Sequence, residues 1–187
     1  MRSTVLFVPG LRDHVPDHWQ TLLAAEIAGS RTVPPLERDK LSCAARVEAL
    51  DRAIGEIEGA PILVAHSAGV LMVAHWAQRH QRPIKAALLA TPPDVDHPLP
   101  AGYPTPEELQ AGGWLPVPRA RLPFPSLLAA SANDPLACAG SAGELAHAWG
   151  SRVLNLGEVG HLNPLAGYGP WPRAHRLIAE LDAGEAA

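Results

Sequence analysis

The stretch Pro61-Ile62-Leu63-Val64-Ala65-His66-Ser67-Ala68-Gly69-Val70-Leu71-Met72-Val73-Ala74 constrains this chain more than any other. A short apolar, β-branched run climbs to a serine, and the pattern turns helical at once. That switch fits a buried strand feeding directly into a helix. Ala65-His66-Ser67-Ala68-Gly69 matches the G-x-S-x-G nucleophile elbow, with alanine at the first glycine position. A serine hydroxyl is a weak nucleophile, so it has to stand exposed at a sharp turn where a base can reach it. Such a turn crowds the neighbouring backbone, which is why small residues are needed two before and two after the serine. The plain alternative is an ordinary buried βα turn, and the rest of the chain decides between the two.

Strand-like and helical patterns alternate along the whole chain. Thr4–Val8 is a continuous apolar run, as a strand buried on both faces requires, and residues 84–90 read as another apolar strand. Thr32-Val33, Ser126–Ala130 and residues 153–156 complete six expected strands. Helices are expected with Asp17 as N-cap and Trp19, Leu22, Leu23 and Ile27 on the apolar face, and through Val47, Leu50, Ile54 and Ile57 up to Gly59. Others are the elbow helix, one opened by a Ser141/Glu144 capping box, and a closing helix carrying Leu177, Ile178 and Leu181. The expected fold is α/β, three layers around a mostly parallel sheet of about six strands, in one domain over 1–187. Between 92 and 125 the pattern breaks, and ten of the 20 prolines fall there. A loop that long in a compact domain is usually functional.

Charge and cysteine content narrow the function classes. A net charge of −4 gives no footprint for nucleic acid or an anionic membrane. Residues 61–77 are nearly apolar enough for a membrane span, but the strand-to-helix switch makes them a buried βα unit. Cys43 and Cys138 are too few for a disulfide scaffold and sit in no Cys/His cluster, which suits a reducing cytoplasm and buried thiols. His14 and His18 are four apart with Pro16 between them, so they make no helical metal pair. No phosphate loop or dinucleotide fingerprint is present, so neither metal nor cofactor is expected.

In open α/β sheets, sites gather outside the carboxyl ends of the strands. Ser67, Asp134 and His161 each follow an expected strand, in the chain order Ser…Asp…His of α/β-hydrolases. Asp94 and Asp96, after the strand that follows the elbow, are the alternative acids. Ala68, after the nucleophile, and Leu11, after Pro9-Gly10, are the candidate backbone donors for an oxyanion. Leu99, Tyr103, Trp114, Leu115 and Val117 are apolar residues without a pattern to bury them, and are candidates for a pocket wall. His66 is expected to pack beside the elbow.

Several pieces together resemble a known family. They are Phe7-Val8-Pro9-Gly10, His18-Trp19, Ala65–Gly69, Asn133-Asp134-Pro135, and Gly160-His161-Leu162-Asn163 followed by Gly167-Tyr168-Gly169-Pro170-Trp171-Pro172. They are similar to the small α/β-hydrolases typified by retinoblastoma-binding protein nine and its bacterial YdeN-type relatives. The resemblance spans almost the whole chain and implies a compact sheet lacking the first two strands of larger hydrolases, with Ser67, Asp134 and His161 as triad. The sequence departs from it at Ala65, in place of glycine, and in the charged loop Leu11-Arg12-Asp13. The resemblance says little about substrate; the order Ser…Asp…His and a wall stiffened by prolines lead to an expected hydrolysis of carboxylic esters of small or medium acyl groups, or of thioesters or amides, by way of an acyl-enzyme. A hydrolase fold serving as a binding protein with little turnover is the alternative. The expected partner is a small acyl substrate, and the sequence names no protein partner.

Overall fold

The computed structural model describes residues 3–138 and 140–184. Six strands form one parallel sheet: β1 Val5–Val8, β2 Arg31–Thr32, β3 Ile62–His66, β4 Ala86–Ala90, β5 Ser126–Ala130 and β6 Arg152–Asn155, in the order β2-β1-β3-β4-β5-β6. The continuous apolar runs are explained by the two faces. Leu6, Val8, Leu63, Ala65, Ala87, Leu89 and Leu128 point into one core, under helices α2 (Cys43–Gly55), α3 (Ala68–Arg79) and α5 (Ser141–Trp149). Their alternates Val5, Phe7, Ile62, Val64, Leu88 and Leu127 point into the other, under α1 (Trp19–Glu26) and α6 (Pro172–Ala183). A strand with a period of two and a core on both sides has no polar face to show.

Local chemistry moves several boundaries. Helix α1 is capped by His18, whose Nδ1 accepts the Gln20 N–H at 3.2 Å, and not by Asp17. Helix α2 is capped by Ser42 and ends at Gly55, so Ile57 packs from beyond its end and Gly59 is not the stop. No capping box opens α5: the Ser141 hydroxyl donates back to the Cys138 carbonyl at 2.9 Å, and the cap is left-handed Gly140. Strand β4 begins two residues later than the apolar run, and β6 one residue earlier than expected. Cys43 is buried as expected, whereas Cys138 is exposed. Within residues 92–125 a real capping box (Thr105 with Glu108) opens α4, Pro106–Ala111.

The chain leaves β1 toward the β2 edge, then returns to place β3 on the other side of β1. The carboxyl ends of β1 and β3 therefore diverge into loops running opposite ways, which is where an open α/β sheet leaves a crevice. Ser67 and the turn after Gly10 both open there. Among the described residues, no helix is long and apolar enough to cross a membrane.

Candidate active site

Ser67 sits between the last residue of β3 and the first of α3 with φ 57° and ψ −130°, a conformation that side-chain-bearing residues avoid. What holds it is packing around the turn. Its N–H donates to the Ala90 carbonyl of β4 at 3.0 Å, and its carbonyl accepts from Val70 at 2.9 Å. Gly69 explains the need for a small residue two places on: a Cβ there would lie 2.2 Å from the Val8 carbonyl oxygen and 2.8 Å from that of Pro9. Helix α3 can start only because its second residue lets the end of β1 pass beneath it.

Asp134 and His161 reach the same point from the loops after β5 and β6. The His161 Nδ1–H donates to Asp134 Oδ2 at 2.9 Å and faces Oδ1 at 3.0 Å. With the proton on Nδ1 facing the carboxylate, Nε2 is left to accept from the Ser67 hydroxyl at 2.8 Å. Asp134 is itself held, accepting the Leu136 N–H at 2.9 Å. Both His161 and Asp134 are buried, while Ser67 is partly open. The arrangement can move a proton from a hydroxyl to an imidazole and hold the resulting cation against a carboxylate. Asp94 and Asp96 do not reach it: Asp94 meets His97 at 3.0 Å and Asp96 meets Arg119 at 2.7 Å.

Two further histidines stand behind His161. The His66 Nε2–H donates to the His161 carbonyl at 2.8 Å, and its ring lies 4.5 Å from that of His18 and 5.0 Å from that of His161. His66 thus supports the backbone of His161, beyond the simple packing expected of it. Burial, reinforced by the neighbouring His161, holds His18 down to about 4 and His66 well below the ordinary histidine range. Both rings are neutral at pH 7, so neither adds positive charge beside His161.

A cavity of about 370 Å³ opens over the serine. Its walls are mostly apolar, and Leu99, Tyr103 and Trp114 from the proline-rich segment line it beside Leu11, Ala68 and Leu71. Leu115 and Val117 do not: Val117 is buried in the core under the segment, and half-buried Leu115 packs against that core. Trp114 is fixed in place, its Nε1–H donating to the Leu41 carbonyl at 2.7 Å and its carbonyl accepting from His75 Nε2 at 3.0 Å. Leu165, 79 % exposed, stands on a single 3₁₀ turn (Pro164–Ala166) at the same cavity. Leu11 belongs to a hydrogen-bonded turn in which Asp13 N–H donates to the Gly10 carbonyl at 3.1 Å. A Cβ on Gly10 would stand 3.1 Å from the Ser67 Cβ, so this turn lies directly against Ser67.

Two lining or supporting residues are not site candidates in the sequence, where Gln20 reads only as a capping-box partner of Asp17. Gln20 is buried and ties β3 to β1, its Nε2 donating to the carbonyls of Val64 at 2.9 Å and Val8 at 3.4 Å. Arg46 is buried on α2, three residues after Cys43 and four before Leu50, which is a position on the helix's apolar stripe. A charge on such a stripe was the available signal.

The family model for serine hydrolases matches residues 5–180. The chain belongs to the serine hydrolase family. Among solved structures, a YdeN-like hydrolase from Pectobacterium atrosepticum is 28 % identical with a TM-score of 0.81, over 98 % of this chain and 92 % of that one. The YdeN product of B. subtilis shares the fold at 13 % identity and TM-score 0.75, covering 97 % and 99 %. A hydrolase from Oleispira antarctica does so at 12 % and 0.70, covering 97 % and 92 %. No curated protein matches the chain. The compact YdeN-type α/β-hydrolase expected from the motifs is thus the fold found.

Proposed function

We propose that this serine hydrolase cleaves carboxylic esters of small or medium acyl groups through a covalent acyl-enzyme on Ser67. The observation that carries the reading is the unbroken line of hydrogen bonds Ser67–His161–Asp134 opening on an apolar cavity. Ser67 Oγ attacks the carbonyl carbon while its proton passes to His161 Nε2, and Asp134 stabilises the imidazolium. The carbonyl oxygen becomes an oxyanion facing the N–H groups of Ala68, at the positive end of α3, and Leu11. Collapse expels the alcohol, which takes the proton from His161 Nε2. Water then gives a proton to the same nitrogen, attacks the acyl carbon, and releases the acid with Ser67 restored. Trp114 and Tyr103 form part of the acyl wall, and the stiffness of the proline-rich segment favours short groups over long flexible chains.

The test is labelling by a fluorophosphonate together with turnover of p-nitrophenyl acetate. Wild type should react at Ser67 and hydrolyse the ester. Ser67→Ala should do neither, while keeping its unfolding transition, because the hydroxyl packs against nothing the fold needs. An unlabelled wild type would leave a hydrolase fold that binds without turnover.

A further inference from the structure

The turn beside the nucleophile is held from behind by a side chain that takes no part in the hydrogen-bond line. Arg46 is 3 % exposed, and a buried guanidinium is costly unless its charge and donors are met. Three partners meet them. Nη1 donates to Asp13 Oδ1 at 2.9 Å, Nη2 to the Leu11 carbonyl at 3.3 Å, and Nε to the Lys40 carbonyl at 2.6 Å. One rigid planar fork therefore joins the turn Gly10–Asp13 to the segment around Lys40, and both border the cavity.

The turn needs that support. It leaves the sheet at Val8, and its far end is Asp13, a non-glycine residue at φ 54°. At its near end Gly10 abuts Ser67, and between the two lies Leu11, whose N–H the proposed chemistry uses. Asp13 also brings a carboxylate to the cavity wall, where an unbalanced negative charge would oppose an oxyanion. We propose that Arg46 is a positioning residue for the oxyanion turn, holding Leu11 by its carbonyl, one peptide unit beyond the N–H that faces the oxyanion, and cancelling the charge of Asp13. The role rests on the esterase reading above and extends it to a residue that touches no substrate.

The experiment compares Arg46→Met, Arg46→Lys and the double variant Asp13→Asn/Arg46→Met. Its readouts are kcat and KM for p-nitrophenyl acetate, inhibition by phenylboronic acid, and thermal unfolding. Boronate bound to a serine oxygen is a tetrahedral anion, so it reports the oxyanion turn apart from substrate binding. Loss of an interaction made only in the transition state lowers kcat and kcat/KM together. Arg46→Met should show that pattern at up to roughly 100-fold, the scale of a donor displaced by about 1 Å, with KM little changed. Boronate should weaken by a similar factor. Arg46→Lys keeps the charge without the fork and should fall between, and removing the Asp13 charge in the double variant should recover part of the loss. A wild-type kcat and boronate affinity in folded Arg46→Met, with only the melting temperature reduced, would make Arg46 a structural residue and overturn the proposal. If Arg46→Met does not fold, the same result in Arg46→Lys overturns it. No recovery in the double variant would overturn the charge-cancelling half. Fluorophosphonate labelling of wild-type Ser67 is measured alongside: its absence would sink the esterase reading, whereas labelling with indifferent variants would sink only the role of Arg46.

Discussion

Gly69→Ala sets two effects of opposite sign against each other. Gly69 is the second residue of α3, and helix propensity alone favours alanine there by about 1 kcal/mol. The added Cβ, however, would stand 2.2 Å from the Val8 carbonyl oxygen and 2.8 Å from that of Pro9. Ordinary contact begins near 3.4 Å, so the Val8 carbonyl must retreat by about 1.2 Å. It cannot rotate aside as a side chain would, because it is backbone at the end of a strand paired to β3 through Val8 and Ala65. Overpacking of this kind costs roughly 1–3 kcal/mol, which matches or exceeds the propensity gain. At 2–4 °C per kcal/mol for a chain of this size, melting should fall by several degrees at most. Activity should suffer far more, since the displaced backbone leads directly into the Gly10–Asp13 turn, and about 1 Å of misplacement can cost on the order of 100-fold. Calorimetry and kcat/KM for p-nitrophenyl acetate measure both. A variant that melts higher than wild type with unchanged kcat/KM would refute the reasoning, because the helix would then have absorbed the methyl without moving β1.

Other outcomes separate the remaining assignments. Asp134→Asn should lower kcat by about 10³- to 10⁴-fold, because the amide no longer fixes the His161 tautomer. The double variant Asp94→Asn/Asp96→Asn should retain kcat near wild type, and the reverse result would move the acid to the loop after β4. Trp114→Ala should cost about 3–5 kcal/mol in stability, since the ring is buried, so the acyl wall is better probed at half-buried Leu99. Along a series of p-nitrophenyl esters, kcat/KM should fall beyond short chains, and Leu99→Ala should shift the preferred length upward. An unchanged profile would remove Leu99 from the wall. His18, held down to about 4, takes up its proton in the unfolded chain near 6.5 but in the native protein only near 4. Its contribution to stability is therefore full above pH 6.5 and is lost as pH falls toward 4. His18→Asn keeps an acceptor for the Gln20 N–H and should flatten that fall in melting temperature, while an identical pH slope would exclude His18 as a cause.

The parts of this fold legible in the sequence are those where one physical demand acts alone. Strands β3 and β5 and the elbow were readable because burial on both faces leaves no choice but continuous apolar residues. Ser67, Asp134 and His161 stand out in the sequence because each follows a strand at the carboxyl edge of the sheet, where the structure brings the three together. Where two demands compete, the reading slipped. Asp17 and Ser141 are good capping residues by type, yet the chain turns one residue later at His18, and the Ser141 hydroxyl serves the Cys138 carbonyl instead. Leu115 and Val117 looked like Trp114 on paper, but only folding decides which of adjacent apolar residues faces a cavity and which faces the core. Arg46 was hidden for a different reason. Its partners are two backbone carbonyls and one carboxylate distant in sequence, and backbone acceptors carry no residue signature.

The site also divides along the sheet. The groups that would move the proton come from beyond β5 and β6, where Asp134 and His161 are tied to each other and His66 steadies the His161 carbonyl. Of the two N–H groups that would meet the oxyanion, that of Ala68 follows Ser67 on α3, and that of Leu11 comes from the β1 side, where Gln20 ties Val8 to Val64, Gly69 seats α3 on Val8, and Arg46 anchors Leu11 and Asp13. Only Ser67, between β3 and α3, belongs to both. Loosening the end of β1 can therefore displace the Leu11 donor while every hydrogen bond of Ser67, His161 and Asp134 survives. Groups that act on one transition state are nonetheless not additive in rate. Once Asp134→Asn has disabled proton transfer, Arg46→Met should cost less in kcat than it does in the intact enzyme, although the two residues approach Ser67 from opposite sides of the sheet.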